Sequence, residues 1–167
     1  TGDTTETGTI ITFLPDAQIF ENTQFNFEIL STRLRELAFL NPGIEINITD
    51  ARSNKEHLFR YEGGIKSFVE YLNKNKTPLH DIFYFKSQKN GSEVEIALEY
   101  NSGYLDNVFS FVNNINTVEG GTHLIGFKTA LTRTLNNYAE KSHMLDKDEK
   151  LTSNDAREGL TAVISLK

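Results

Sequence analysis

The dipeptide Asn90-Gly91 constrains this chain more than any other feature. Both residue types accept the left-handed backbone that a two-residue hairpin turn demands. The runs on either side, Ile82-Phe-Tyr-Phe-Lys86 and Val94-Glu-Ile-Ala-Leu-Glu-Tyr100, are therefore expected to pair as antiparallel neighbours. A third strand, about Asn107 to Asn113, is expected to join them through Asn101-Ser-Gly-Tyr104.

Helical and extended periodicities fill the rest. From Asn26 to Phe39 the apolar residues Phe27, Leu30, Leu34, Leu37 and Ala38 recur at helical spacing, and Asn41-Pro42-Gly43 ends the run. Ile44, Ile46 and Ile48 alternate with polar residues, which predicts a half-buried strand. A second strand, His57 to Tyr61, follows the polar turn Arg52-Ser-Asn-Lys55. Gly63-Gly64 reads as a joint, after which Ile65, Phe68, Val69 and Leu72 form a helical stripe that runs out at Asn73-Lys-Asn-Lys-Thr-Pro78. A long amphipathic helix is expected near Thr122 to Lys141. Its buried face would carry Leu124, Phe127, Leu131, Leu135 and Tyr138, with Thr122 as N-cap after Gly120-Gly121. The loop Met144 to Lys150 leads to a short helix capped by Thr152 or Ser153, and Leu160 to Leu166 closes the chain as an alternating strand. Near the start, Gly8-Thr-Ile-Ile-Thr-Phe-Leu14 is β-branched and aromatic up to Pro15 and reads as a strand. The fold class is α+β with mostly antiparallel pairing.

Composition sets limits on function. At 167 residues the chain can form one domain or two small ones, and 38% hydrophobic with 24% charged residues is ordinary for a soluble protein. No apolar run reaches the length of a membrane span, and Thr1-Gly-Asp-Thr-Thr-Glu6 lacks the basic start and apolar core of a signal peptide. The absence of cysteine rules out a disulfide framework and fits a reducing cytoplasm. Acids outnumber bases 23 to 17, a net charge of −6. Phosphate affinity comes largely from Lys and Arg releasing counterions, so any DNA contact must use a local basic strip.

Catalytic signatures are missing. His57, His80, His123 and His143 are scattered without metal-ligand spacing and read as structural or exposed. There is no phosphate-binding loop of the Gly-x-x-x-x-Gly-Lys-Ser/Thr type and no Gly-x-Ser-x-Gly elbow. Glu93, Glu95 and Glu99 share one strand face between apolar residues, which reads as a solvated sheet face.

Four segments point further. They are Glu119-Gly-Gly-Thr-His-Leu-Ile-Gly-Phe-Lys-Thr-Ala-Leu-Thr-Arg-Thr-Leu-Asn-Asn-Tyr138, Arg35-Glu-Leu-Ala-Phe-Leu-Asn41, Tyr61-Glu-Gly-Gly-Ile65 running on to Asn75-Lys-Thr-Pro78, and Arg157-Glu-Gly-Leu-Thr-Ala-Val-Ile-Ser165. In order and over essentially the whole chain, they resemble the ATP-hydrolysing subunits of bacterial type II DNA topoisomerases, the gyrase B family. The resemblance implies that residues 1–62 are the C-terminal part of a GHKL-type ATPase domain. Residues 63–167 would be a transducer domain, a mostly antiparallel sheet packed by helices and similar to a ribosomal-protein domain, ending before the family's Gln-Thr-Lys loop. The family's catalytic Glu, adenine-binding Asp and ATP lid are expected upstream of Thr1, and the lysine of that loop beyond Lys167. No catalytic residue is therefore expected in this stretch, and alone it is expected to be inactive.

Further expectations follow from the same resemblance. ATP and Mg2+ would serve the full-length protein, with none held by this stretch alone. In Thr7-Gly-Thr9, Thr9 would help hold the adenine through its hydroxyl and a water, with Ile11 lining the pocket wall. Read without the family, Thr9 is a plain strand residue. The partners would be DNA, the A subunit of gyrase and a second copy of the B subunit in an ATP-dependent dimer, in the cytoplasm and away from membranes. The transducer would line the cavity that holds captured DNA and relay nucleotide state. Lys128 and Arg133, on the flank and back of the long helix, would face that DNA; the plainer alternative is a solvated basic face. The B subunit of topoisomerase IV and a free-standing nucleic-acid- or protein-binding module are the competing identities.

Overall fold

The computed structural model describes residues 7–146 and 149–167. The expectation for Thr1–Glu6, and the part of the 144–150 loop at Lys147 and Asp148, lie outside the described residues.

Helix α1 (Phe27–Leu40) begins where the Asn26 side chain accepts a hydrogen bond from the Ile29 amide at 3.1 Å. It ends at Asn41, whose side-chain amide donates to the Leu37 carbonyl at 2.8 Å, ahead of Pro42 and Gly43. Strands β1 (Glu45–Asp50) and β2 (Lys55–Arg60) form an antiparallel hairpin with Ile46 opposite Phe59 and Ile48 opposite His57. Helix α1 lies against this hairpin, with the Phe27 ring 5.0 Å from the His57 ring.

Helix α2 (Ile65–Leu72) buries Ile65, Phe68 and Val69, the expected stripe. Its N-cap, Gly64, has φ +60°, and a Cβ there would lie 2.9 Å from the Pro42 ring. Glycine is thus required both by the left-handed backbone and by close packing against the end of α1.

A five-stranded sheet follows, in the order β3-β4-β7-β5-β6. Strands β3 (Phe83–Lys89) and β4 (Ser92–Tyr100) are antiparallel and turn at Asn90 (φ +53°) and Gly91 (φ +82°), as the dipeptide predicted. Strand β5 (Asn107–Val112) enters the same sheet but not beside that hairpin. Strand β7 (Leu160–Leu166) inserts between them, antiparallel to β4 and parallel to β5. Nor does β7 alternate as expected, for every residue from Leu160 to Ser165 is buried. A central strand covered on both faces needs no polar face. The short strand β6 (Ile115–Asn116) completes the edge. Helix α3 (Thr122–Lys141) connects β6 to a single 3-10 turn, Asp155–Arg157, ahead of β7. That turn is capped by Thr152, whose hydroxyl accepts from the Asp155 amide at 3.2 Å.

The core sits where α1 and α2 meet one sheet face. Phe39, Leu40, Ile65, Phe68 and Val69 pack on Ala97, Phe111 and Val163. Phe39 and Phe111 are no more than 1% exposed. Burying a ring of this size is worth roughly 1.5–3 kcal/mol before entropy, so this seam holds the two helices to the sheet.

The strand expected at Gly8–Leu14 is absent. Residues 7–14 have no regular structure, with Ile10 95% and Leu14 90% exposed. A strand needs a neighbour for its N–H and C=O groups, and among the described residues no other segment pairs with this one.

Candidate nucleic-acid interface on the long helix

Helix α3 spans the expected residues, but its environment differs from the amphipathic picture. Only Ala139 is fully buried. Leu124, Phe127, Leu131 and Leu135 are half-buried, and Tyr138, expected on the buried face, is 60% exposed. Tyr138 falls in the last turn, where the packed stripe has shifted to Ala139. The helix is capped by the Gly121 backbone and not by Thr122, which is its first helical residue and accepts no capping bond. Asn136 anchors it, donating to the Leu151 carbonyl at 2.9 Å and accepting from the Leu151 amide at 2.8 Å. Helical spacing alone gives no sign of that polar clasp.

Lys128 is half-buried on the flank of the stripe, and Arg133 is exposed. They lie five positions apart, about 7.5 Å along the axis and about 140° around it. Neither side chain forms an ion pair among the described residues, whereas eight other pairs are closed. From Gly120 to Ala139 the chain contains no Asp or Glu. As the Lys and Arg residues of that acid-free stretch, the two make a sparse positive strip on an otherwise acidic molecule. An exposed surface pair contributes at most about 1 kcal/mol to stability, so leaving these charges unpaired costs the fold little.

Thr9 and Ile11 are both exposed, Ile11 at 80%, in the segment without regular structure. The cavity beside them, about 440 Å³, is lined from Phe13 onward and includes neither residue. Thr9 and Ile11 therefore line none of the described cavities.

The three glutamates separate. Glu93 and Glu95 clasp the Lys86 ammonium at 2.9 and 2.8 Å, which holds the Glu93 carboxyl below its ordinary range and raises the lysine. Glu99 is not solvated, contrary to the sequence reading. It is 7% exposed and accepts from the Asn73 side chain at 2.6 Å. Asn73 in turn accepts from the Thr161 hydroxyl at 2.6 Å, tying the end of α2 to the central strand. The edge half of the sheet face is open, but at Glu99 the α2 terminus covers it.

Two of the histidines are framework residues, and His143 is exposed. His80 accepts from the Tyr100 amide at 3.0 Å, and His123 meets the Thr117 hydroxyl at 3.1 Å. Among the described residues no three His, Asp or Glu side chains converge to hold a metal, and no helix is long and apolar enough to cross a membrane.

Comparison with known proteins agrees with this architecture. The family model for DNA gyrase B matches residues 64–167. The DNA gyrase B subunit of Clostridium acetobutylicum is 56% identical over 169 residues, covering 99% of this chain and 26% of the relative. The DNA topoisomerase 4 B subunit of Staphylococcus epidermidis is 52% identical over 171 residues, covering 100% and 26%. Among solved structures, the 43K ATPase domain of Thermus thermophilus gyrase B, in complex with an aminocoumarin, superposes with a TM-score of 0.74. It is 35% identical, over 92% of this chain and 42% of that one. The chain thus spans about a quarter of the length of these two curated relatives. On the family match and these identities, the chain belongs to the DNA gyrase B family.

Proposed function

We propose that this stretch works within the ATP-hydrolysing B subunit of a gyrase, a type II topoisomerase that drives one DNA duplex through another. Residues 1–62 are the last part of the ATPase domain, and residues 63–167 belong to the transducer. The family match beginning at residue 64 supports that division. The transducer relays nucleotide state and offers α3 to the captured duplex. We assign no catalytic residue to this stretch. ATP and Mg2+ serve the full-length protein, which acts in the cytoplasm with the A subunit of gyrase and a second B subunit. Thr9 and Ile11 meet the adenine only once the remainder of the ATPase domain surrounds them, which accounts for their present exposure.

The observation that carries this reading is the unpaired, acid-free strip of Lys128 and Arg133. A wall past which DNA moves must attract phosphates without retaining them. Each neutralised phosphate adds about 0.9 to the slope of log affinity against log salt. Two contacts per protomer give transient attraction, whereas a dense patch would trap the duplex.

In the full-length protein, complexed with its A partner, Lys128→Glu is expected to leave basal ATP turnover within about twofold. DNA supercoiling should fall about tenfold, because a phosphate contact is replaced by repulsion. Unchanged supercoiling would remove Lys128 from the interface. Topoisomerase IV is the second reading, favoured by the 52% identity to a protein of that name. Decatenation without negative supercoiling would select it.

A further inference from the structure

Helices α1 and α2 are joined by more than chain connectivity. The Phe39 ring is stacked between Tyr61, at 3.7 Å and 19°, and Phe68, at 4.7 Å and 6°. Phe68 continues to Phe109 and Phe111 on β5, at 5.7 and 6.1 Å. A file of rings therefore runs from the end of β2 through both helices into the five-stranded sheet. The tip of the β5–β6 turn closes the loop, with Asn114 donating to the Asn41 side chain at 3.1 Å.

Stacked rings tolerate offset sliding, so stacking alone does not fix how α1 sits on α2. A hydrogen bond does, because it weakens steeply with angle and distance. One such bond crosses this seam. Arg35 of α1 donates to the Tyr71 hydroxyl of α2 at 2.8 Å. The same guanidinium lies 5.2 Å from the centre of the Tyr71 ring and 5.2 Å from that of Phe59 on β2. It thus touches the hairpin and α2 at once, held by rings rather than, among the described residues, by a carboxylate.

Resting on the function proposed above, we infer that Arg35 is a positioning residue, whose bond to Tyr71 sets the register of α1 on α2 through which nucleotide-driven movement reaches the sheet and α3. Gly63-Gly64 then acts as a close-packed corner, and the load passes through the seam. Arg35 is spent on Tyr71 and Phe59 and belongs neither to the proposed adenine site nor to the strip on α3. Its removal should leave ATP turnover intact and waste it.

The test uses the full-length B protein with its A partner and closed circular DNA, measuring ATP hydrolysed per strand passage beside basal turnover and Tm. Tyr71→Phe keeps the ring and removes the hydroxyl acceptor. Arg35→Met keeps the apolar stem and removes both the donor and the charge. Arg35→Met is expected to raise ATP consumed per strand passage about fivefold and Tyr71→Phe about twofold, with basal turnover unchanged in both. The double variant should be no worse than Arg35→Met alone, since both remove one interaction. A ratio equal to that of the unsubstituted protein in both single variants, whether activities hold or fall together with Tm, would overturn the inference alone. Failure of the unsubstituted protein to couple ATP to strand passage would overturn the parent function as well.

Discussion

Gly159→Ala is expected to lower the thermal midpoint of this protein by about 10 °C, the largest effect of any single added methyl group. Gly159 has φ +71° and sits at the entrance to the central strand. A Cβ there would lie 2.7 Å from the Gly103 carbonyl and closer still to that of Asn101. Both obstacles are backbone, so no rotamer change relieves them. The same corner carries two bonds to the Gly159 carbonyl, from the Asn101 amide at 2.9 Å and its side chain at 2.7 Å. Moving Gly159 aside therefore breaks what starts β7. Left-handed backbone costs an ordinary residue about 1–2 kcal/mol, and the displaced carbonyl contacts bring the total to about 3–4 kcal/mol. In a domain of this size each kcal/mol shifts the midpoint by about 2–4 °C. Calorimetry showing a fall under about 3 °C would mean the corner can relax, and that β7 does not depend on it.

The second large effect is Phe39→Ala, expected to cost about 3–5 kcal/mol in urea unfolding. Phe39 is 1% exposed and contacts Tyr61, Phe68 and Tyr71, so truncation leaves a cavity whose walls belong to two helices and the residue that follows β2. Neighbouring rings cannot fill it without abandoning their own stacking on the sheet. Phe85→Ala supplies the contrast, for that ring is 45% exposed on edge strand β3 and should cost about 1 kcal/mol or less. Equal costs for the two would contradict the assignment of the aromatic file as the seam of the fold.

These two positions also show what is legible in the sequence. Local signals carry the elements: Asn90-Gly91 names its hairpin, Asn26 and Asn41-Pro42-Gly43 bound α1, and the stripe from Ile65 to Leu72 marks α2. Each depends on backbone preferences within a few residues. Pairings made across long separations are not legible. Nothing near Leu160 says that β7 will pass between β4 and β5, so its burial on both faces has no local signal. Glu99 looks solvated in the sequence because its cover, Asn73, lies 26 residues away. The strand expected at Gly8–Leu14 has the right residue types but no neighbour to complete its ladder. Tyr138 follows the helical period, and the packing moves off it by one residue to Ala139.

The candidate interface divides along similar lines. Lys128 and Arg133 come from helical geometry joined to the family signature, and both remain available in the structure. Thr9 and Ile11 come from the signature alone, and the fold of these residues gives them no pocket. Arg35 lies inside a recognised segment, yet its partner Tyr71 is 36 residues on. A helical wheel shows which face a residue occupies, not which ring will be waiting across the seam.

The most direct test places a photo-crosslinking amino acid at position 128 or 133 of the full-length B protein, with the A subunit of gyrase, a DNA duplex and a non-hydrolysable ATP analogue. If α3 faces the captured duplex, both positions form covalent protein–DNA adducts that depend on nucleotide and fade as salt rises, with none from position 28 on the exposed start of α1. Adducts absent at 128 and 133 while the same complex traps DNA, or equally abundant at position 28, would contradict that placement.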